Sequence, residues 1–373
     1  MEKFSQFRDR GSGIAPFLPV PLQPAPGCCP LPIRALLFFF RVPFFVFIIA
    51  SYFLILQWLP LGSLGKKAAL WCILGIPSIW WVDLQVDGVR KGNLSRQQSR
   101  LPGPGSVIAA SFTSPIDALY LAAIFDPIFT ASYPTTREVE HISLLSAILR
   151  AFAQPQLHPA RGAKMVSLEA LGRKYPNRSI VSFSECTTTN GRAILPLSPS
   201  LVSVRATTKV FPVSLRYSPE DIVTPVPGCY LSFLWALLSK PTHYIRVRIA
   251  EPVTVEDCAG AGSQRQAPLN VADKMKDSTF GTNYFDDLNE IRASKTKSRA
   301  GMAGAAPHEV DGEGEGEGEE GGEVDLNVTP AEKNLLDAIG ESLARLGRVK
   351  RVGLGVSSKV AFVQAWRGSK RTW

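Results

Sequence analysis

The sequence predicts an α/β protein, with a mixed sheet flanked by helices and preceded by one or two N-terminal membrane helices. An uncharged apolar run covers residues 42–59, near the start of the 373-residue chain. Patterns typical of strands and helices then alternate between residues 105 and 253, as they do in α/β domains. Because 45% of the residues are hydrophobic and 20% are charged, the chain can bury a sizeable core.

Two apolar segments precede the globular region. The run 42–59 is long enough to cross the hydrocarbon core of a bilayer, where a helix satisfies its own backbone hydrogen bonds. A second run, 68–82, is shorter and contains Gly75 and Pro77. Its tryptophans suit a membrane interface, so it predicts a helix that pairs with the first or lies in the membrane plane. A buried core helix is the alternative.

The globular region is predicted from its hydrophobic periodicity. Short apolar runs and alternating patterns predict strands at 106–112, 128–132, 179–183, 209–217 and 244–253. Spacing typical of helices predicts helices at 115–125, 141–152 and 165–174. The alternation of the two favours an α/β sheet.

Composition divides the chain into five parts. They are a Pro/Gly-rich extended arm at 1–32, membrane-associated helices at 33–87, the globular domain at 88–256, an acidic Gly-rich linker at 257–328 and a helical basic tail at 329–373. The repeated Gly and Glu of the linker predict disorder, because like charges repel and glycine adds chain entropy. Thr329, Pro330 and Glu332 predict the start of a helix in the tail.

Charge and cysteine usage narrow the classes of partner. The net charge of +9 favours a negatively charged lipid surface or phosphate-bearing substrates. No nucleic-acid partner is expected, because the sequence has no zinc-finger spacing, RNA-binding aromatic signature or base-reading basic helix. The six cysteines are scattered and form neither a CxxC pair nor a Cys/His cluster, so no metal site is predicted.

Three segments stand in an informative order: 111–117, where a strand gives way to a helix; 183–187, followed by Asn190, Gly191 and Arg192; and 210–215. They resemble blocks of the glycerolipid acyltransferase (HxxxxD, PlsC-like) family, which read Asn-His-Thr-Ser-Pro-Leu-Asp, Phe-Pro-Glu-Gly-Thr and Val-Pro-Val. The matching residues are Thr113, Ser114, Pro115, Asp117, Phe183, Glu185, Thr187, Val210, Pro212 and Val213. The residues that open the chain resemble the start of the family's fungal lysophosphatidic acid acyltransferases.

The resemblance implies an α/β acyltransferase-like domain at 88–256 and an acyl-CoA-dependent activity. The expected reaction converts a lysophospholipid, above all lysophosphatidic acid, to phosphatidic acid in phospholipid and triacylglycerol synthesis. This is the 1-acylglycerol-3-phosphate O-acyltransferase type. The expected partners are the bilayer, a lysophospholipid and acyl-CoA as co-substrate, with no metal or other cofactor. The expected location is the endoplasmic reticulum membrane, with lipid droplets as a second site.

The resemblance also implies the site residues. Asp117 is the expected catalytic residue. The expected substrate-binding residues are Thr113, Ser114, Phe183, Glu185, Thr187, Arg192 and Pro212. Arg192 is the candidate phosphate contact, because a guanidinium matches phosphate oxygens. Three of these residues also have a purely structural interpretation. Asp117 could be a helix N-terminal carboxylate, Glu185 a solvated loop residue and Pro212 an edge or bulge proline.

The chain departs from the family pattern at the first block. Phe112 stands where the family has the histidine that takes the proton of the attacking hydroxyl while the aspartate orients it. Phenylalanine cannot accept a proton, and His141 and His158 can contribute only if the fold brings them near. Cys186 replaces the glycine of the second block.

Phe112 therefore favours a rival hypothesis. The chain would keep the acyltransferase fold but act as a catalytically inactive membrane protein with a lipid-binding or regulatory role. A purely structural membrane anchor is a third hypothesis, but it does not explain three ordered blocks. The enzyme hypothesis requires Asp117 and Glu185 to converge in one cleft that opens onto the bilayer.

Overall fold

The computed structural model describes residues 2–21, 30–59, 63–89, 94, 97–258 and 329–370. Its helices are α1 Leu31–Ser51, α2 Ser63–Gly75, α3 Pro115–Phe125, α4 Leu144–Arg150, α5 Leu168–Lys174, α6 Tyr230–Leu238, α7 Pro330–Gly347 and α8 Val356–Lys370. Its strands are β1 Ile79–Val86, β2 Val107–Ala110, β3 Ile128–Ala131, β4 Val139–Ile142, β5 Met165–Val166, β6 Ile180–Ser182, β7 Ala193–Ile194, β8 Val210–Ser218, β9 His243–Ile249 and β10 Lys350–Arg351. Almost all of the predicted acidic linker lies outside the described residues.

Eight strands form one mixed sheet in the order β1-β9-β8-β2-β6-β3-β4-β5. The central strands β8, β2, β6 and β3 are parallel to their neighbours in that run, whereas β9 is antiparallel to β8, and β4 is antiparallel to β3 and β5. Every residue of β2 is buried, as expected for a strand with both faces covered. The predicted mixed α/β sheet is therefore confirmed.

Helices cover the sheet on both faces. Ile108, Val213 and Leu215 belong to a core cluster that includes residues of α2, α3 and α6. On the other face, Val107 and Val210 pack with residues of α5 and α7. Helix α3 occupies the predicted range and is apolar on nearly every side, which is typical of a helix enclosed by the core.

The first apolar segment forms a helix that begins earlier than predicted. Helix α1 continues through a π-helical turn, Tyr52–Leu56, and the combined segment Leu31–Leu56 has a mean hydropathy of 2.2. By length and composition it can cross a membrane. Only 11% of its most apolar window is buried, and large side chains such as Phe39 and Phe47 are exposed. Its inner face packs against the core and α6, where Arg41 donates to the Leu238 carbonyl at 3.3 Å.

The prediction of a second apolar helix over 68–82 is wrong in its second half. Helix α2 ends at Gly75, and Ile79–Val86 is strand β1, which runs parallel to β9. Pro77 does not continue the helix, and the following Ile-Trp-Trp-Val run is rich in residues that favour strands. Gly75 is also needed for space, because a Cβ there would lie 2.9 Å from the Trp80 ring.

Two other predicted helices begin later than expected. Strand β4 occupies the start of the predicted helix 141–152, and β5 occupies the start of 165–174. In both places a serine then accepts a hydrogen bond from a backbone N–H and begins the shorter helix, Ser143 before α4 and Ser167 before α5. These N-caps set the true starting points.

The tail is helical as predicted, whereas the described part of the N-terminal arm is not simply extended. The arm begins with a 3-10 helix, Glu2–Phe7, and Phe7 and Phe17 are buried against Phe362 of α8. Helix α7 starts as predicted at its capping box and buries an apolar stripe on the sheet. Aromatic packing explains the ordered arm, because the apolar rings find a complementary helix face far along the chain.

Candidate functional site

The turn between β2 and α3 is built around Asp117. Its Oδ2 accepts hydrogen bonds from the backbone N–H of Thr113 at 2.7 Å and of Ser114 at 2.8 Å, and from the Thr113 hydroxyl at 3.2 Å. Ser114 caps the helix by accepting from the N–H of Ile116. Asp117 thus completes a capping box, and its carboxylate is fully buried.

The second oxygen of Asp117 has a partner that the sequence did not reveal. Its Oδ1 accepts a hydrogen bond from the hydroxyl of Tyr217 in β8. Because side chains alternate along a strand, Tyr217 lies on the same face of β8 as Val213 and Leu215, toward α3. That alternation could have placed Tyr217 in the core, but nothing in the sequence pairs it with residue 117.

Burial sets the protonation of this pair. It raises the pKa of Asp117 to about 6, against the opposing effect of the hydrogen bonds from Tyr217 and the backbone. Burial and the Asp117 charge raise the pKa of Tyr217 well above its usual value of 10.0. Near neutral pH the carboxylate is therefore ionised and the phenol keeps its proton.

Glu185 joins the second block to the first. Its Oε1 accepts from the N–H of Phe112 at 3.3 Å, and its Oε2 accepts from the N–H of Leu195 at 3.2 Å. It is buried rather than solvated. Burial raises its pKa to about 8, and the two backbone donors oppose that shift. Since Glu185 binds the N–H of residue 112 and Asp117 that of residue 113, the two carboxyl groups converge on one peptide segment.

The cavity beside Glu185 is small. A cavity of about 10 Å³, lined by residues that include Thr113, Glu185, Gly191, Arg216 and Gly347, has room for about one water molecule. The segment after α7 forms part of its wall. Both carboxyl groups thus bind the 112–113 segment, but of the two only Glu185 lines this cavity, which is too small for a lipid.

Phe112 is a core residue. Its ring stacks on Phe183 with centroids 4.4 Å apart, and both rings line another cavity of about 10 Å³ together with Cys186. The histidines of the described residues are engaged elsewhere: His141 stacks on Tyr175, Nδ1 of His158 is hydrogen-bonded to the Thr135 hydroxyl at 3.2 Å, and His243 bonds the Leu237 carbonyl. None of them is hydrogen-bonded to Asp117.

Two fungal proteins are similar to this chain over most of its length. It is 27% identical over 304 residues to a Schizosaccharomyces pombe protein provisionally named as a lysophosphatidic acid:oleoyl-CoA acyltransferase, covering 80% of this chain and 99% of that protein. It is 26% identical over 298 residues to lysophosphatidic acid:oleoyl-CoA acyltransferase 1 of Saccharomyces cerevisiae, covering 74% of this chain and 91% of that protein. The chain resembles these fungal acyltransferases. No protein-family model and no solved structure matches it.

The loop that follows Glu185 is held by both ends of the chain. Lys359 of α8 is fully buried and donates to the carbonyl and, at 3.0 Å, to the hydroxyl of Thr188. Asn190 donates from its amide to the carbonyls of Ala15 at 2.8 Å and Leu18 at 3.0 Å. Burial lowers the pKa of Lys359 to about 7, and the charge of Glu185 opposes the shift. Sequence reasoning missed Lys359, which resembles any other basic residue of the C-terminal region.

The remaining candidate residues surround this centre at different depths. Thr187 is buried in the loop, where its N–H donates to the Glu185 carbonyl at 2.7 Å. Cys186 has a φ of +59°, a conformation that glycine adopts more readily. Arg192 is half exposed, and its guanidinium lies 3.9 Å from a Glu220 carboxylate oxygen.

Pro212 is neither at a sheet edge nor at a bulge. It lies in β8 opposite Ala109 of β2, one residue before the antiparallel pairing of β8 with β9 begins. Its carbonyl accepts from the N–H of Ala250 at 3.0 Å. A proline is tolerated there because the ladder with β9 does not need its missing N–H. Pro212 therefore shapes the strand behind the site.

Among the residues that the structure describes, no group of three or more histidine, cysteine, aspartate or glutamate side chains could hold a metal ion.

Proposed function

We propose that the protein is an acyl-CoA-dependent acyltransferase that acylates a lysophospholipid, with lysophosphatidic acid as acceptor and phosphatidic acid as product. The observation that carries the proposal is the meeting of Asp117 and Glu185 on the 112–113 peptide segment. The names of the two fungal relatives support the same reaction.

The Asp117–Tyr217 pair takes the place of the missing imidazole. The acceptor hydroxyl gives its proton to the Tyr217 oxygen while the Tyr217 proton moves to Asp117. The acceptor oxygen then attacks the carbonyl carbon of the thioester. Collapse of the tetrahedral intermediate breaks the C–S bond, and the departing CoA thiolate takes the proton back by the same route. A buried carboxylate with a pKa of about 6 is suited to such a transfer near neutral pH.

The substrate contacts follow from the positions around this pair. Arg192 is half exposed at the end of the loop that carries Glu185, and we assign it to the acceptor's phosphate. Thr113, Ser114 and Thr187 offer hydroxyl groups near the glycerol. Phe183 and Pro212 form part of the wall of the proposed substrate site. The reaction needs acyl-CoA as co-substrate and no metal or further cofactor.

The reaction belongs at a membrane surface in this proposal. Helix α1 supports it, because the segment Leu31–Leu56 has the length and hydropathy of a membrane helix and packs on the domain that holds the site. The endoplasmic reticulum membrane is the proposed location, with lipid droplets as a second one, because both substrates and product partition into lipid.

The test is acyl transfer from oleoyl-CoA to lysophosphatidic acid by the purified full chain in lipid. Asp117→Asn should reduce the rate to background, because an amide cannot take the proton. Asp126→Asn is the matched control: it makes the same change at the other end of α3, where Asp126 is a surface residue that pairs with Arg178 at 2.6 Å. Equal rates in wild type and Asp117→Asn would refute the enzyme proposal.

One observation favours a second candidate function. Phe112 replaces the family's base, and the carboxyl groups are enclosed, so the fold could serve a catalytically inactive lipid-binding or regulatory membrane protein. In that case the wild type binds lysophosphatidic acid vesicles without forming phosphatidic acid. Binding without turnover by a folded, lipid-reconstituted sample supports this candidate over the enzyme.

A further inference from the structure

A large groove lies next to the candidate site. It has a volume of about 510 Å³, far more than the cavities at Glu185 and Phe112. Strands β1, β8 and β9 form most of it. The lining residues are Trp81, Val82, Asp83, Arg216, Tyr217, Ser218, Glu220, Tyr244, Ile245 and Arg246. Its size is in the range of small-ligand sites.

The groove and its rim are rich in arginine. Arg216 and Arg246 line it, Arg192 shares Glu220 with Arg216, and the charges of Arg348 and Arg246 act on Arg248. The carboxylates of the groove lining are Asp83, 3.6 Å from Arg246, and Glu220, 3.9 Å from Arg216.

These guanidinium groups repel one another. Burial lowers the pKa of Arg248, and the positive charges of Arg348, Arg246 and Arg216 lower it further. The Nε of Arg248 is also buried without a hydrogen-bond partner among the described residues. Because these arginines outnumber the two carboxylates Asp83 and Glu220, a bound anion would stabilise the cluster.

Two aromatic side chains stand in the same groove. Trp81 and Tyr244 are paired across the β1–β9 ladder, so their side chains lie on one face of the sheet. Trp81 is 63% exposed and Tyr244 is 46% exposed. Large exposed aromatic rings beside arginines suit a flat, anionic ligand, because the rings stack on a base while the guanidinium groups bind phosphate.

The groove is continuous with the candidate site through β8. Arg216 lines both the groove and the small cavity beside Glu185, and its Nη2 donates to the carbonyl of Gly191 at 3.3 Å. The next residue, Tyr217, also lines the groove, but its side chain lies on the opposite face of β8 from that of Arg216 and donates to Asp117. A ligand held in the groove thus lies beside the small cavity that Glu185 lines.

We propose that this groove binds the phosphorylated adenine nucleotide of acyl-CoA, with the base between Trp81 and Tyr244 and the phosphates on Arg216 and Arg246. The inference rests on the proposed acyl-CoA-dependent function and names its donor subsite. A lysophospholipid also carries a phosphate that arginines can bind, but it has no aromatic base to stack on Trp81 and Tyr244.

The test is equilibrium binding of CoA itself, without an acyl chain, to the full-length protein in lipid nanodiscs. Arg246→Ala and Tyr244→Ala should each weaken CoA binding about tenfold or more. The control is Arg173→Ala, which removes an exposed, carboxylate-paired arginine on α5. The wild type should bind 3′-dephospho-CoA more weakly than CoA, and the affinity for lysophosphatidic acid vesicles should not change in the groove variants.

The outcomes separate the inference from the proposed function. Unchanged CoA affinity in both groove variants overturns the inference, even if acyl transfer is intact. Loss of lysophosphatidic acid binding with CoA binding retained assigns the groove to the acceptor and also overturns it. CoA binding that depends on Arg246 in a protein without transferase activity supports the subsite and refutes the proposed catalysis.

Discussion

Replacing Tyr217 by phenylalanine removes one buried hydroxyl and leaves its ring in place. That hydroxyl donates to Oδ1 of Asp117, and a hydrogen bond to a charged group contributes about 1.5–3 kcal/mol. One pKa unit corresponds to about 1.4 kcal/mol. Because the lost bond favours the ionised carboxylate, the pKa of Asp117 should rise from about 6 by roughly one to two units.

The assay is the pH dependence of kcat/KM between about pH 5 and pH 9. The wild-type rate should fall on the acidic side near the pKa of Asp117. In Tyr217→Phe this acidic limb should move to higher pH, and the plateau should fall by about 10²–10⁴, the usual contribution of acid–base catalysis.

Tyr120→Phe is the matched control for this variant. Tyr120 is also a buried tyrosine, with its ring 6.5 Å from Trp71, and no hydrogen bond joins it to Asp117 in the described part of the chain. Its pH profile should match the wild type. A Tyr217→Phe protein with a wild-type rate and an unmoved acidic limb would refute the proton relay.

Three further variants test the surroundings of the site. Lys359→Met should change the pH dependence of unfolding. Because burial lowers the lysine pKa from 10.5 to about 7, the wild type should gain stability relative to the variant as pH rises from 7 toward 10.5. A difference in melting temperature that stays constant with pH would contradict this. Phe112→His should not raise the transfer rate, because the side chain at position 112 packs on Phe183 and the Tyr217 hydroxyl already binds Oδ1 of Asp117. A tenfold gain in rate would count against the proton relay through Tyr217. Phe362→Ala should destabilise the fold by about 3–5 kcal/mol, measured by denaturant unfolding, and hydrogen exchange should show the N-terminal arm losing protection; an arm that stays protected would show that this ring does not hold it.

The sequence was a good guide wherever local chemistry decides the structure. Helix α3 follows directly from Ser114, Pro115 and Asp117, which are an N-cap, a first-turn proline and a capping-box carboxylate. The parallel strands β2, β6 and β8 were found because apolar runs bounded by turn residues are enough to define a buried strand. The same runs place the Asp117 and Glu185 segments at the ends of neighbouring strands.

Features that depend on distant partners could not be predicted in this way. The bond from Tyr217 to Asp117 spans 100 residues, and that from Lys359 to Thr188 spans 171. Strand β1 was mistaken for a helix, because a short apolar run is compatible with the periodicity of a helix and with that of a strand. Only the pairing with β9 shows that it is a strand. The groove beside the site could be predicted only with the register of β1 and β9, which brings Trp81 and Tyr244 together.

The attachment of both chain ends to the loop after Glu185 has a consequence for biosynthesis. The ribosome finishes that loop 171 residues before it makes Lys359, the side chain that satisfies Thr188. A nascent chain therefore carries an incomplete centre while α1 is already available to enter a bilayer. If the proposed membrane role of α1 holds, the chain can enter the bilayer before Lys359 completes the loop that follows Glu185.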